Sequence, residues 1–243
     1  MKSIAIIGLG TMGTAIQERL ALTDDLTSSG ISRTEGNIDD VGTAETVILA
    51  VKPQSFPELA AELRPRIDRQ LIVSIMAGIS ISTITESLGS DRVVRTMPNL
   101  ALSTGQSVTG WYTESRADMD TVESIVDSWG SSIQLKNEEQ FHAFTALAGS
   151  GPAYFYELTR ILEQMAKEKG FSAEQASRMA VQTFLGAASV MSERVSPAEQ
   201  VQRVASRGGT TEAALGVFQE FGLQEVVRAA IDAACVRSQE LSG

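Results

Sequence analysis

Apolar residues in the first half of the chain fall in short unbroken runs: Ile4-Ala5-Ile6-Ile7, Val47-Ile48-Leu49-Ala50-Val51 and Leu71-Ile72-Val73. Strands buried on both faces carry runs of this kind, so the pattern predicts a parallel sheet covered by helices. Strands are expected over 3–8, 30–33, 46–51, 70–76, 92–97, 107–112 and 131–135, and helices over 12–22, 55–63 and 81–88. Such alternation is the mark of a doubly wound α/β domain. Past 136 the strand pattern stops. Helical spacing then runs over 138–148, 153–169, 173–193, 197–205, 212–221 and 224–241, broken by Gly149-Ser150-Gly151-Pro152, where Pro152 withdraws a helical donor. The expected division is an α/β domain over 1–136 and an all-helical domain over 137–243. Within the latter, Ala176, Met179, Ala180, Val181, Phe184, Leu185, Ala187, Ala188, Val190 and Met191 run nearly all round one helix. More than one layer must cover such a helix. A homodimer interlocked through this domain is the economical cover, and a single buried central helix fits the same pattern.

Composition narrows the classes. One cysteine, Cys235, excludes a disulfide framework and a cysteine zinc site, and one histidine, His142, excludes a His-rich metal cluster. The net charge of −10 and pI near 4.7 argue against binding to a nucleic-acid backbone. The start, Met1-Lys2-Ser3-Ile4, has a faint likeness to a signal peptide, but glycines interrupt its apolar run and no cleavage site precedes Glu18-Arg19. No run approaches the ~20 apolar residues of a membrane helix. A cytoplasmic protein without membrane or nucleic-acid partners is expected.

Gly8-Leu9-Gly10-Thr11-Met12-Gly13 follows the first strand and opens the first helix. This is Gly-x-Gly-x-x-Gly in the context that gives it meaning. Gly8 suits the tight turn, Gly10 the approach of a pyrophosphate, and Gly13 close helix–strand packing, with the amides of the helix start facing the phosphates. An NAD(P)-binding Rossmann-type domain follows, trimmed because no helix is readable between 33 and 46. The second strand ends Ile31-Ser32-Arg33-Thr34, without the acidic residue an NAD site uses on the ribose 2′-OH. Arg33 and the hydroxyl of Ser32 suit a 2′-phosphate, which favours NADPH with NADH possible. The bland alternative leaves Arg33 solvated and gives the 2′-OH to Glu35.

Three further segments set polar groups beside apolar structure: Ala50-Val51-Lys52-Pro53 and Met97-Pro98-Asn99 at strand ends, and Ser206-Arg207-Gly208-Gly209-Thr210-Thr211-Glu212 before a helix. Amides and hydroxyls in the third make a candidate carboxylate cradle. A helix cap by Thr210 is the simpler reading, though it leaves the paired glycines unexplained.

Together these segments resemble the pyrroline-5-carboxylate reductase family over nearly the whole chain. The resemblance includes Ile48-Leu49-Ala50-Val51-Lys52-Pro53-Gln54, Ser74-Ile75-Met76-Ala77-Gly78-Ile79-Ser80, Val93-Val94-Arg95-Thr96-Met97-Pro98-Asn99 and Gln182-Thr183-Phe184-Leu185-Gly186-Ala187-Ala188. Its most specific elements are Gly149-Ser150-Gly151-Pro152-Ala153-Tyr154 and Gly208-Gly209-Thr210-Thr211. It implies a Rossmann domain followed by an all-helical dimerisation domain, with active sites where one subunit's cofactor domain meets the helical pair. It implies NAD(P)H-dependent reduction of 1-pyrroline-5-carboxylate to L-proline. By position, Ala50, Val51, Lys52 and Pro53 border the nicotinamide ribose and Asn37 the adenosine ribose. Ser206, Gly208, Gly209, Thr210 and Thr211 hold the substrate carboxylate. Ser206 and Thr211 are the candidate catalytic hydroxyls, with Thr211 on the imine nitrogen.

Four departures from the family pattern stand out: Arg207 stands for a usual proline, Leu100-Ala101 for Thr-Pro, Thr11 for asparagine, and His142 for aspartate. They bear on substrate affinity more than on reaction type. A protonated imine is already electrophilic, so a chain with one histidine loses nothing: His142 is expected on a helix surface. Cys235 is expected to pack in its helix, and Tyr154 and Tyr156 in a core or interface. Two other readings share the fold: a related reductase of another imino or hydroxy acid, and a non-enzymatic nucleotide-sensing dimer. Hydroxy-acid enzymes of this build place a catalytic lysine in the helical domain, where only Lys167 and Lys169 occur, in a solvated helix end.

Overall fold

The computed structural model describes residues 2–115, 119–191 and 195–242. Contacts divide the chain into two compact units, Met1–Pro152 with Ala233–Gly243, and Ala153–Asp232. This differs from the division at 136/137 expected from periodicity, for a local reason. Phe141 is fully buried with Met97 and Leu135, and Phe144 packs on the same cluster. Arg95 also reaches Glu138 at 2.9 Å. The segment after 137 is therefore held by the α/β unit.

The first unit runs β1 (Lys2–Ile7), α1 (Thr11–Leu20), β2 (Leu26–Ile31), β3 (Thr46–Leu49), α2 (Phe56–Leu63), β4 (Leu71–Ser74), α3 (Ile81–Leu88), β5 (Val93–Met97), β6 (Ser107–Thr113), α4 (Met119–Asp127), β7 (Gly130–Gln134) and α5 (Gln140–Phe144). These strands form one seven-stranded sheet in the order β2-β1-β3-β4-β5-β6-β7. β1 to β5 are mutually parallel, as the unbroken apolar runs predict. Beyond these five, β6 lies antiparallel to β5, with β7 parallel to β6. The link from Pro98 to Gln106 contains only a short 3₁₀ turn, Leu100–Thr104, and a parallel return needs a longer crossover. α4 supplies such a crossover between β6 and β7. It went unread in the sequence, although Val122, Ile125 and Val126 bury one face of it.

Side chains alternate across the sheet. Ile4 and Ile6 of β1 face one core with Ile16, Leu20, Ile48, Val73, Trp111 and Trp129. Ala5 and Ile7 face the other with Val47, Leu49, Phe56, Leu63, Ile84 and Leu88. Helices thus cover both faces, the doubly wound arrangement. The order reverses at β1, so the carboxyl ends of β1 and β3 form the topological switch point where such sheets bind ligands. β2 begins at Leu26, earlier than the expected 30–33, and the segment before β3 holds only a 3₁₀ turn, Ile38–Thr43. The sheet order therefore has nothing beyond β2.

After α5 the backbone makes a π-type turn over Thr145–Gly149, with the Ser150 amide donating to the Thr145 carbonyl at 2.8 Å. This is the interruption signalled by Gly149-Ser150-Gly151-Pro152. Asn99 fixes it from the end of β5: its Nδ2 donates to the Ala148 carbonyl at 3.0 Å and its Oδ1 accepts from the Ala101 amide. His142 departs from the expected surface position. It is half-buried, its Nδ1 3.0 Å from Ser238 Oγ, and the Cys235 thiol packs at 3.8 Å from its carbonyl.

The remaining helices are α6 (Gly151–Glu168), α7 (Ala173–Ser189), α8 (Pro197–Val204), α9 (Thr210–Glu220) and α10 (Leu223–Glu240). The expected helix 173–193 runs past Met191 into residues outside the described ones. Capping boxes start α7 at Ser172 and α8 at Ser196. Among the described residues of the second unit, Ala176 and Ala180 are the buried hydrophobic side chains. Met179, Val181 and Leu185, from the nearly all-round apolar stretch, stay about half exposed at 45%, 45% and 51%. Tyr154 and Tyr156 are also exposed in the single chain, at 38% and 56%. No helix among the described residues is long and apolar enough to cross a membrane.

Candidate functional site

The first unit holds a cleft of about 1030 Å³ at the switch point, between the end of β2, the turn after β1, and the end of β3. Three glycines shape the turn beside it by three different means. Gly8 has φ +102°, and a Cβ there would stand 2.7 Å from the Ala50 carbonyl oxygen. A Cβ on Gly13 would collide with the carbonyl oxygen of Gly8, so helix α1 can start this close to the turn only with glycine. Gly10 is the opposite case: nothing lies within 4 Å of the position its Cβ would take. That open backbone is the approach a pyrophosphate needs. The first helical hydrogen bond of α1 is Thr14 N–H to Gly10, so the amides of Thr11, Met12 and Gly13 stay unused by the helix. They form the positive end of the helix dipole.

Of the residues expected to hold a cofactor, Gly8, Gly10, Ser32, Arg33, Asn37, Ala50, Val51 and Lys52 line this cleft together. Thr11, Met12, Gly13 and Pro53 do not line it. Met12 packs against the core, Gly13 is buried, and Pro53 opens a 3₁₀ turn. Ser32 has an organising role: its hydroxyl accepts from the amides of Thr34 and Glu35, at 3.2 and 3.0 Å, and closes the turn after β2. Arg33 stands exposed on that turn and makes no hydrogen bond or ion pair among the described residues. Asn37 uses its Oδ1 to cap the following turn at the Asp39 amide, which leaves its Nδ2 to donate. Sequence reasoning missed Gly36, Ile38, Ser55, Glu58, Leu59 and Glu62, which line it with the strand ends Ile7 and Ile31. Ser55, Glu58, Leu59 and Glu62 were findable, because they share one stripe of the helix that follows Lys52-Pro53.

The second unit holds the loop before α9. Both glycines have a local cause here. Gly208 has φ +73°, and a Cβ on Gly209 would lie 2.5 Å from Ser206 Oγ. Gly209 is the N-cap residue of α9, without a side-chain cap, and this corrects the reading of Thr210 as the cap. Glu212 folds back instead, its Oε2 accepting from the Gly208 amide at 2.6 Å. The Gly209 amide donates to the Ser206 carbonyl at 2.9 Å. Three of the five residues expected to hold a carboxylate therefore have their N–H groups engaged, since the Ser206 amide also donates to the Val204 carbonyl at 3.2 Å. The amides of Thr210, Thr211 and Glu212 remain, since the first helical bond joins Ala213 to Gly209. The Thr211 side chain is half-buried, and its hydroxyl makes no hydrogen bond among the described residues.

Known proteins resemble this chain over most of its length. The family model described as pyrroline-5-carboxylate reductase dimerisation matches residues 138–241. One described as NADP oxidoreductase, coenzyme F420-dependent, matches residues 25–78. A pyrroline-5-carboxylate reductase of Pseudomonas aeruginosa is 41% identical over 214 residues, 86% of this chain and 78% of its own. A solved pyrroline-5-carboxylate reductase structure from Coxiella burnetii is 31% identical, has a TM-score of 0.89, and overlaps 99% of this chain and 98% of its own. A pyrroline carboxylate reductase structure from Plasmodium falciparum, with NADP bound, shares the fold at a TM-score of 0.87 and 23% identity, covering 100% and 98% of the two chains.

Proposed function

Because this chain belongs to the pyrroline-5-carboxylate reductase family, we propose that it holds NADPH in the cleft beside Gly10 and reduces 1-pyrroline-5-carboxylate, bound at the start of α9, to L-proline. Its activity is that of an NAD(P)H-dependent oxidoreductase at the last step of proline biosynthesis. One observation carries the assignment of sites. A single chain of this family combines a glycine turn open at Gly10 with a helix start whose first three amides are unused.

When bound, the dihydronicotinamide supplies a hydride to the C=N carbon of the imino acid. The chain's own work is positioning. The α1 amides and Gly10 would hold the pyrophosphate, and Ala50, Val51 and Lys52 would border the nicotinamide ribose, with Pro53 fixing the turn behind them. Arg33, unpaired and exposed, is available to a 2′-phosphate, which supports NADPH over NADH. The amides of Thr210, Thr211 and Glu212 cradle the substrate carboxylate at the positive end of α9. The Thr211 hydroxyl orients the ring nitrogen, while Ser206 closes the loop over Gly209. The C=N electron pair moves onto a nitrogen already protonated, so no strong acid is required of the protein.

This reading takes 1–136 as the cofactor domain and 137–243 as the helical domain for dimerisation and substrate binding, a division supported by the family match at 138–241. It includes a homodimer as the minimal assembly and a cytoplasmic setting. Steady-state oxidation of NADPH with pyrroline-5-carboxylate tests it, with proline quantified as product. Stoichiometric proline supports the reading, and turnover only with a 2-keto acid rejects it.

A further inference from the structure

One wall of the cofactor cleft carries an unexpected charge. Ser55, Glu58, Leu59 and Glu62 line it from α2 and the turn before that helix. Their spacing of three, four and seven residues makes them a single stripe. Leu59 is half-buried against the core, as is Ile38, which lines the same cleft from the turn after β2. The carboxylates of Glu58 and Glu62 are exposed, and neither makes a hydrogen bond or ion pair among the described residues.

Arg66 donates to the Glu62 backbone carbonyl at 2.7 Å and leaves both carboxylates unpaired; unpaired carboxylates disfavour phosphate beside them and suit a ligand group that donates hydrogen bonds. The order of the cleft indicates which group that is. Gly8 and Gly10 fix the pyrophosphate end, Arg33 and Asn37 the adenosine ribose, and Ile38 follows Asn37 in the chain. The group beyond the ribose is the base: a flat ring that two aliphatic side chains can cover, with an exocyclic amino group carrying two donors.

Resting on the reading that this cleft holds NADPH, we propose that Glu58 and Glu62 determine base specificity. They accept a hydrogen bond from the adenine amino group, while Ile38 and Leu59 cover the ring. A base with a carbonyl oxygen at that position offers an acceptor to an acceptor and is disfavoured.

The test is binding, read by nicotinamide fluorescence during titration, with NADPH and its hypoxanthine analogue as the probes. Wild-type protein is expected to bind NADPH ~10-fold more tightly than the analogue, the scale of one charge-assisted hydrogen bond. The Glu58→Ala, Glu62→Ala double variant is expected to bind both within about twofold of each other, while keeping its melting temperature. Alanine is a strong helix former at two exposed helical positions, so folding is preserved. A wild-type preference no greater than about twofold, or a preference retained in the double variant, overturns this proposal and leaves the cofactor site standing. Failure of wild-type protein to bind NADPH at all overturns the cofactor reading, and this proposal with it.

Discussion

Gly8, Gly10 and Gly13 share a missing side chain and use it in three ways: backbone angle, ligand access and helix packing. That division was legible in the sequence because the spacing falls between a strand run and a helix. Gly36 was not legible; its φ of +78° depends on a turn beside Gly30 and Ile31 that no local pattern announces. For the paired glycines at 208 and 209, the sequence showed that something constrained them but not what. The constraint is a positive φ at one and the Ser206 hydroxyl at the other. Arg33 and Thr211 are the residues on which the chemistry can be tested singly. Arg33→Ala should raise the KM for NADPH by ~10-fold or more and leave that for NADH nearly unchanged, as loss of a charge-assisted contact requires. Equal losses with both cofactors would show Arg33 to be structural. Thr211→Val keeps the side-chain shape and removes its hydroxyl. kcat should fall by roughly 10-fold, about 1.4 kcal/mol, with NADPH affinity unchanged. An unchanged kcat with a lower Tm would reduce Thr211 to a helix-start residue.

Among the elements, the buried parallel strands were the easiest to foresee and the exposed edge the hardest. β1, β3, β4 and β5 lie almost wholly in the core, and the first three carry continuous apolar runs, while Arg95 and Thr96 interrupt the apolar sequence of β5. β2 is an edge strand whose polar centre, Thr27-Ser28-Ser29-Gly30, obscures it, since only its ends at Leu26 and Ile31 are buried. The reversal of β6 was equally hidden, because strand direction follows from the length of the connection and not from composition. Arg95 is an element-scale device too. Its side chain is 6% exposed, it meets Glu138 at 2.9 Å, and its guanidinium lies 4.5 Å from the Phe141 ring centre. The same Glu138 oxygen accepts the Ile81 amide at the start of α3, so one carboxylate ties β5, α3 and the segment before α5. Glu138→Ala leaves a buried cation unpaired and should cost about 1.5 to 3 kcal/mol in chemical denaturation, the scale of a hydrogen bond to a charged group. Glu138→Gln, which can still accept from Ile81, should cost less. Equal, negligible losses would mean that the pair contributes little.

At the scale of the whole molecule, the α/β unit is complete in one chain and the helical unit is not. Helix α7 and its neighbours leave Phe155, Leu158, Leu185, Val217 and Phe218 about half exposed, at 51%, 51%, 51%, 50% and 47%. A surface this apolar on helices requires cover. Residues 138–241 match a dimerisation domain, and the protein is a homo-oligomer. The sequence pattern alone also allowed a single buried helix, and the exposure of Met179 and Leu185 in one chain removes that option. Sedimentation should find no compact, active monomer at micromolar concentration, and dilution should cost activity and stability together. A stable active monomer would contradict this. The most direct test of the central claim follows the hydride itself. Protein supplied with pyrroline-5-carboxylate and NADPH deuterated at the transferable C4 position should yield proline carrying one deuterium, at the former imine carbon. Proline without deuterium, or no proline despite a bound cofactor, would contradict the account.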